Sequence, residues 1–225
     1  MADTAGHGAR ALSQDDVPDP RVAALAAFHR QRKRNSRERL LAAAAREFCD
    51  RGYLPVSVEE IAAAAGMSRM TFYRHFRGKA DLAAHLFDAA AETSRPMFLH
   101  IMAVDFTRRE AVVEWITEIF QADQANRRLL RAFTQATADE GDFTPRAQEY
   151  IRELIAGLGA AIPAFAVDPD APAQRRGWLE AWLLLYEILD QSSHAALDSG
   201  VATDPLVIEI LADRFLAFVR RDSPA

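Results

Sequence analysis

Between Ser57 and Gly78 the chain places two helix starts and two helix stops within a short span, which leaves few folds open to it. Ser57 is followed three residues later by Glu60, the spacing at which a serine hydroxyl and a glutamate side chain cap each other's backbone N–H. The run Val58-Glu59-Glu60-Ile61-Ala62-Ala63-Ala64-Ala65 then meets Gly66, a residue that tolerates positive φ at a turn. Ser68 can cap a second helix that ends near Phe76, ahead of Gly78. Helices this short do not persist alone in water, so both must be pinned by apolar contacts. Ile61, Ala65, Met67, Phe72 and Phe76 supply them, and Ala62 is small enough to sit where the two helices cross. The surface they pin to is a helix expected over 36–51, where Leu41, Ala45 and Phe48 recur at helical spacing and Gly52 stands at the C-terminal cap.

Charge divides the chain in the same place. The net charge is −5 over 225 residues, yet residues 29–79 hold 12 Lys or Arg against 5 acids. Residues 80–225 hold 13 Arg against 23 acids. A compact basic segment on an acidic chain is the electrostatic footprint expected of a small nucleic-acid-binding head on a non-binding body, the alternative being uneven surface charge with no partner.

The rest reads as helix, with no run of alternating apolar and polar residues that would make a strand. Residues 1–19 are polar, turn-rich and expected to be disordered. An extra helix is expected over 20–34, with Val22, Leu25 and Phe28 on one face, running into His29-Arg30-Gln31-Arg32-Lys33-Arg34. Body helices are expected over about 79–93, 97–104, 108–122, 124–139, 145–163, 173–197 and 205–221. Start signals are Thr107 with Glu110, Thr144 before Pro145, and Asp204 before Pro205. Val167 to Pro172 reads as a loop. The fold class is therefore all-α: a three-helix helix-turn-helix head at 35–88, preceded by an extension with a basic arm at 1–34, and followed by a larger helical bundle at 89–225.

The motifs, taken in order, resemble those of the TetR family of one-component transcriptional regulators. Glu47-Phe48 and Gly52-Tyr53 match the end of the family's first helix. Val58 to Ala62, Ala65 to Ser68, Thr71 to Phe76 and Gly78-Lys79-Ala80-Asp81-Leu82 match the remainder. Ser57 stands where threonine is commoner, and Met70 where a small residue is more usual. The resemblance implies a homodimer that binds a palindromic double-stranded DNA operator and releases it to a small-molecule inducer. It also implies phosphate contacts by Tyr73 and Lys79.

The residues themselves argue the same division of labour. Arg69 and Thr71 fall on the first turn of the second short helix, where side chains reach base edges, and arginine suits a bidentate contact to guanine. Tyr73, Arg74, His75 and Lys79 are better placed for phosphates. Ser57, Ser68 and Met70 complete the candidate DNA-facing set, and Arg32, Lys33 and Arg34 are a basic arm that could follow the backbone or enter the minor groove. An alternative for each is structural: Tyr73 packed in the small core, Lys79 and the arm merely solvated.

For the body, Trp115, Phe120, Phe133, Tyr150, Trp178, Trp182 and Tyr186 are candidates to line an apolar ligand pocket. Packing in the core is the competing reading for each aromatic. Dimerisation is expected through the last two long helices, where Trp178, Trp182 and Tyr186, with Leu185 and Leu189, and then Ile208, Leu211, Phe215 and Phe218 repeat at helical spacing; the alternative is that these stripes face the subunit's own core. Glu187, Asp190 and His194 share a helix face that resembles a metal or acid–base cluster, or is simply solvated.

No enzymatic role and no cofactor are expected, because the sequence has no phosphate-binding glycine loop and no nucleophile elbow. Cys49, the single cysteine, reads as a packed residue in a reducing, cytoplasmic protein. Asp3, Asp15, Asp16 and Asp19 at the N-terminus argue against a signal peptide, and no apolar run is long enough to suggest a membrane span. A non-sensing architectural DNA-binding protein, or an activator in place of a repressor, stays open at this level.

Overall fold

The computed structural model describes residues 20–139, 143–198 and 200–221. Its helices are α1 (Pro20–Arg51), α2 (Val58–Ala64), α3 (Arg69–Tyr73), α4 (Lys79–Leu99), α5 (Arg109–Ala125), α6 (Arg127–Asp139), α7 (Phe143–Leu158), α8 (Arg175–Ala196) and α9 (Leu206–Arg220). Single 3-10 turns stand at His100–Ala103, Pro163–Phe165 and Gly200–Thr203, and no strand occurs among the described residues. The chain divides into two compact units, Met1–Arg39 and Leu40–Ala225.

The expected helices over 20–34 and 36–51 prove to belong to one element, α1. Asn35-Ser36 carries neither proline nor glycine, so nothing stops the helix there. Gln31 donates to Asn35 at 2.9 Å and accepts from Arg34 at 2.8 Å, the three- and four-residue spacings that face each other on a helix. Residues 1–19 and the expected face of Val22, Leu25 and Phe28 lie outside what the structure describes.

The described residues of the second unit form two apolar cores. The smaller one gathers Leu40, Ala44 and Phe48 of α1, Tyr53 and Val56 of the following loop, Ile61 of α2, and Phe72 and Phe76 at α3. Leu82 and Leu86 of α4 complete its floor, and Ala132, Phe133 and Ala136 of α6 close it from the other side. The larger core is built by Phe98, the heart of α5 (Val112, Trp115, Ile116, Ile119), and the inner faces of α7, α8 and α9. Helix α5 packs on both α8 and α9, and the Trp115 ring lies 5.2 Å from that of Phe215. The boundary expected at 88/89 falls inside α4, whose Leu86 belongs to one core and Phe98 to the other.

Three local expectations change. Helix α4 runs through Pro96 to Leu99, where two helices were expected. Proline removes one backbone donor, but burial of Phe98 and a 3.2 Å bond from Trp115 Nε1 to the Phe98 carbonyl hold the chain helical. Thr107 does not cap α5; its hydroxyl and N–H both turn back to Asp105, at 2.6 and 3.1 Å. Leu211, Phe215 and Phe218, expected to face a partner, are buried in the chain's own core, and Ile208 packs against it. The apolar residues that α8 and α9 leave exposed are instead Leu179, Leu183 and Tyr186, and Leu206 and Ile210.

Candidate functional site

The α2–α3 pair is built by local chemistry. Ser57 Oγ accepts from the Glu60 N–H at 3.2 Å, while Glu60 Oε2 accepts from the Ser57 N–H and hydroxyl, each at 2.8 Å. Those bonds, with Arg51 beside them, pull the Glu60 carboxyl down to about 2. Gly66 takes φ of +65°, a value that would strain any side-chain-bearing residue, and Met67 N–H reaches the Ala62 carbonyl at 2.8 Å. Ser68 then caps α3, its Oγ accepting from the Thr71 N–H at 3.2 Å. Helix α3 is shorter than expected, and a further turn carries the chain to Phe76 through the Phe76 N–H bond to the Phe72 carbonyl.

Fully buried Phe72 anchors α3 and turns its opposite side to solvent. On that side stand Arg69, Met70 (79% exposed), Tyr73 and Arg74, with Thr71 half-buried at its edge. Arg69 Nε pairs with Glu59 of α2 at 2.9 Å, and its guanidinium lies 5.4 Å from the centre of the Tyr73 ring. Both partners of the ion pair are exposed, so the pair contributes little to stability and opens readily to another acceptor. Thr71 Oγ1 and Ser68 Oγ are hydrogen-bonded at 3.1 Å. His75 departs from expectation: three residues after Phe72, it is turned inward, both ring nitrogens out of solvent and the ring 6.4 Å from Phe76. Arg32, Lys33 and Arg34 are exposed on α1.

Lys79, expected at a phosphate, donates to the Tyr53 and Leu54 carbonyls at 3.0 and 3.3 Å and sits 4.1 Å over the Tyr53 ring. On its other side Tyr53 gives its N–H to Gln135 Oε1 of α6 at 2.8 Å. The loop between α1 and α2 is thus gripped by α4 and by α6.

A cavity of about 570 Å³ lies among α4, the end of α5, α6, α7 and α8. Its apolar wall includes Leu86, Phe87, Met97 and Phe98 of α4, Leu129, Leu130 and Phe133 of α6, and Leu189 of α8. Its polar groups are Thr93, Ser94, Asp123, Asn126, Tyr150 and Ser193. Tyr150 and Ser94 hydroxyls are 3.0 Å apart, and burial raises the Tyr150 phenol to about 12. Burial likewise raises the Asp123 carboxyl, which accepts a hydrogen bond from Ser192.

Of the aromatics expected at a pocket, Phe133 and Tyr150 line this one. Trp115 and Phe120 are core residues. Trp178 and Trp182 border a different, shallower depression with Pro145, Gln148 and Arg152, and Tyr186 stacks on Trp182 at 5.1 Å with the rings 8° from parallel. Glu187 pairs with Arg214 of α9, apart from Asp190 and His194, which pair at 3.4 Å. Among the described residues no group of three or more His, Cys, Asp or Glu is arranged to hold a metal. Cys49 is half-buried and its thiol is pushed up, chiefly by burial, which disfavours the reactive thiolate. No helix among them is long and apolar enough to cross a membrane. Sequence reasoning did not find Glu59, Gln135 or Asp123. The first lay within a recognised capping motif, and the other two had no local signal.

Residues 40–86 match the model for bacterial regulatory proteins of the tetR family. Comparison with curated proteins gives no match. Among solved structures, a candidate transcriptional regulator from Streptomyces coelicolor is 25% identical with a TM-score of 0.59, over 80% of this chain and 97% of its own. A candidate TetR-family regulator from Mesorhizobium loti is 17% identical with a TM-score of 0.59, over 83% and 97%. The fatty acid degradation regulator FadR from Bacillus halodurans is 16% identical with a TM-score of 0.53, over 78% and 93%.

Proposed function

We propose, from the match of residues 40–86 to the tetR-family model, that this chain is a DNA-binding regulator of the TetR type, a dimeric repressor released from its operator by a small organic effector. The observation that carries the effector half is the double duty of α6. Its Leu129, Leu130 and Phe133 line the cavity, while Ala132, Phe133 and Ala136 close the core of the DNA-binding head and Gln135 holds Tyr53. A ligand that shifts α6 therefore acts on the head through packed side chains, and its differential affinity for two arrangements sets how far it shifts the population.

On DNA, Arg69 leaves Glu59 for a guanine edge, and Met70 and Thr71 meet neighbouring bases in the major groove. Tyr73 and Arg74 lie beside the phosphates. Lys79 acts through the Tyr53 and Leu54 carbonyls, fixing the loop ahead of α2. Arg32, Lys33 and Arg34 add sequence-independent attraction to the backbone.

Dimerisation uses the exposed apolar residues of α8 and α9, Leu179, Leu183, Tyr186, Leu206 and Ile210. Exposed large apolar side chains on two neighbouring helices are a contact surface awaiting a partner, and a second copy satisfies it with twofold symmetry. The depression at Trp178 and Trp182 adjoins this face, in keeping with a role in the interface.

The test is a nuclease footprint on DNA flanking the protein's own gene, at about 150 mM salt, where non-specific binding is weak. A protected, inverted-repeat site supports the proposal. Protection that appears only at concentrations coating scrambled DNA contradicts it.

A further inference from the structure

The cavity among α4–α8 contains aromatic rings at several angles and one carboxyl. Phe87 stands edge-on to Phe133 at 5.6 Å and to Tyr150 at 6.2 Å, and Phe98 stands edge-on to Tyr150 at 5.9 Å. Rings set at right angles to one another present both faces and edges to the space between them, and an aromatic face attracts a cation. Asp123, at the end of α5, is the acid among the described lining residues, and no Arg, Lys or His is among those. Its described partners are the Ser192 and Ser193 hydroxyls, both neutral donors. A half-buried carboxylate whose described partners are neutral is held back from ionising until a positive charge arrives.

Building on the effector reading above, we propose that the cavity binds a hydrophobic organic cation, with its ammonium or other positive group at Asp123 and its apolar body among Phe87, Phe133 and Tyr150. The volume of about 570 Å³ suits a ligand of drug-like size. A carboxylate ligand of the same bulk meets no Arg, Lys or His among the described lining residues and faces Asp123 across a low-dielectric space. A neutral ligand leaves the carboxyl as burial has made it, with its proton held more tightly than usual. A cation reverses that effect, so binding favours the ionised carboxylate.

The experiment uses the full chain and a matched set of probes: 4-phenylbutyltrimethylammonium, 4-phenylbutanol and 5-phenylpentanoate. Binding is read by calorimetry, and release of the footprinted DNA by fluorescence anisotropy. The quaternary cation should bind at least tenfold more tightly than the carboxylate, and Asp123→Asn should remove that preference. Because the cation's charge is fixed, its affinity for the unaltered protein should also rise with pH through the Asp123 titration. That profile needs no variant to fold. Among the described lining residues the other ionisable group is the Tyr150 phenol, which burial keeps neutral, and the charges that reach it from behind, Arg95 and Glu153, are paired with each other. A carboxylate that binds as well as the cation, no binding of the cation, or a cation affinity independent of both pH and Asp123 overturns the proposal. Cation binding that behaves as predicted yet leaves DNA affinity unchanged upholds the proposal and overturns the effector reading instead.

Discussion

Gln135 Oε1 accepts the backbone N–H of Tyr53 at 2.8 Å, joining two residues 82 positions apart in sequence. The same Tyr53 offers its carbonyl and its ring face to Lys79. One residue of the loop before α2 is thereby tied to α6, a wall of the cavity, and to the first turn of α4. Gly52 beside it has φ of +84° and leaves room for the amide, since a Cβ there would lie 3.2 Å from Gln135 Oε1.

Gln135→Ala should lower stability by about 1 kcal/mol, the ordinary net worth of such a bond, and more if the Tyr53 N–H finds no water. Gln135→Glu keeps an acceptor and should lose less. Thermal unfolding checks both. Equal melting temperatures for all three proteins would show that the contact carries no stability, and with it no grip on the loop.

The Ser57–Glu60 cap makes stability depend on acid. The Glu60 carboxyl is held near 2 in the folded chain against an ordinary 4.5. A lowered folded pKa contributes stability that is present above the unfolded value and is lost as pH falls from about 4.5 toward 2. Glu60→Gln should therefore flatten the acid side of the stability profile in that window, lowering stability at neutral pH and changing it little near pH 2. Denaturant unfolding at several pH values measures it, and an unchanged slope would contradict the cap's assigned role.

Cations at the head should separate by function. Arg69→Ala should cost roughly 5- to 100-fold in affinity for the preferred site and little for scrambled DNA. Arg74→Ala should weaken binding to both and reduce the salt slope by about one unit. Anisotropy titrations across salt concentrations distinguish them. A uniform loss in Arg69→Ala would move Arg69 from base reading to backbone attraction.

Leu183→Arg, on the exposed side of α8, places a charge in the proposed dimer contact without entering the core. Light scattering should report a monomer with unchanged helical content. Phe215→Ala, in contrast, leaves a hole in the larger core and should cost about 3–5 kcal/mol. A dimer that survives Leu183→Arg would place the interface elsewhere.

Legibility of the fold followed the range of the interactions. Caps at Ser57 and Ser68 and the turn at Gly66 were readable because each is settled within four residues. The continuity of α1, and of α4 through Pro96, was not, because propensity says little about a helix held by tertiary packing. Periodicity correctly marked Leu211, Phe215 and Phe218 as one face of α9, but a period identifies a face without saying what covers it. The same limit applied at the cavity. Aromatic content pointed to Phe133 and Tyr150 and equally to Trp115 and Phe120, which fill the core. Asp123, which gives the cavity its charge, sits in an ordinary polar stretch of α5 and acquires meaning only once five helices surround it.

Recognition of DNA through α3 is tested by selection of binding sites from a pool of random double-stranded DNA by the full chain at about 150 mM salt. Enrichment of an inverted repeat with half-sites about one helical turn, or a multiple of one, apart is the predicted result, and it should vanish when Arg69 and Thr71 are both replaced by alanine. A pool that stays random, or a motif that the double replacement leaves unchanged, would contradict recognition of DNA through α3.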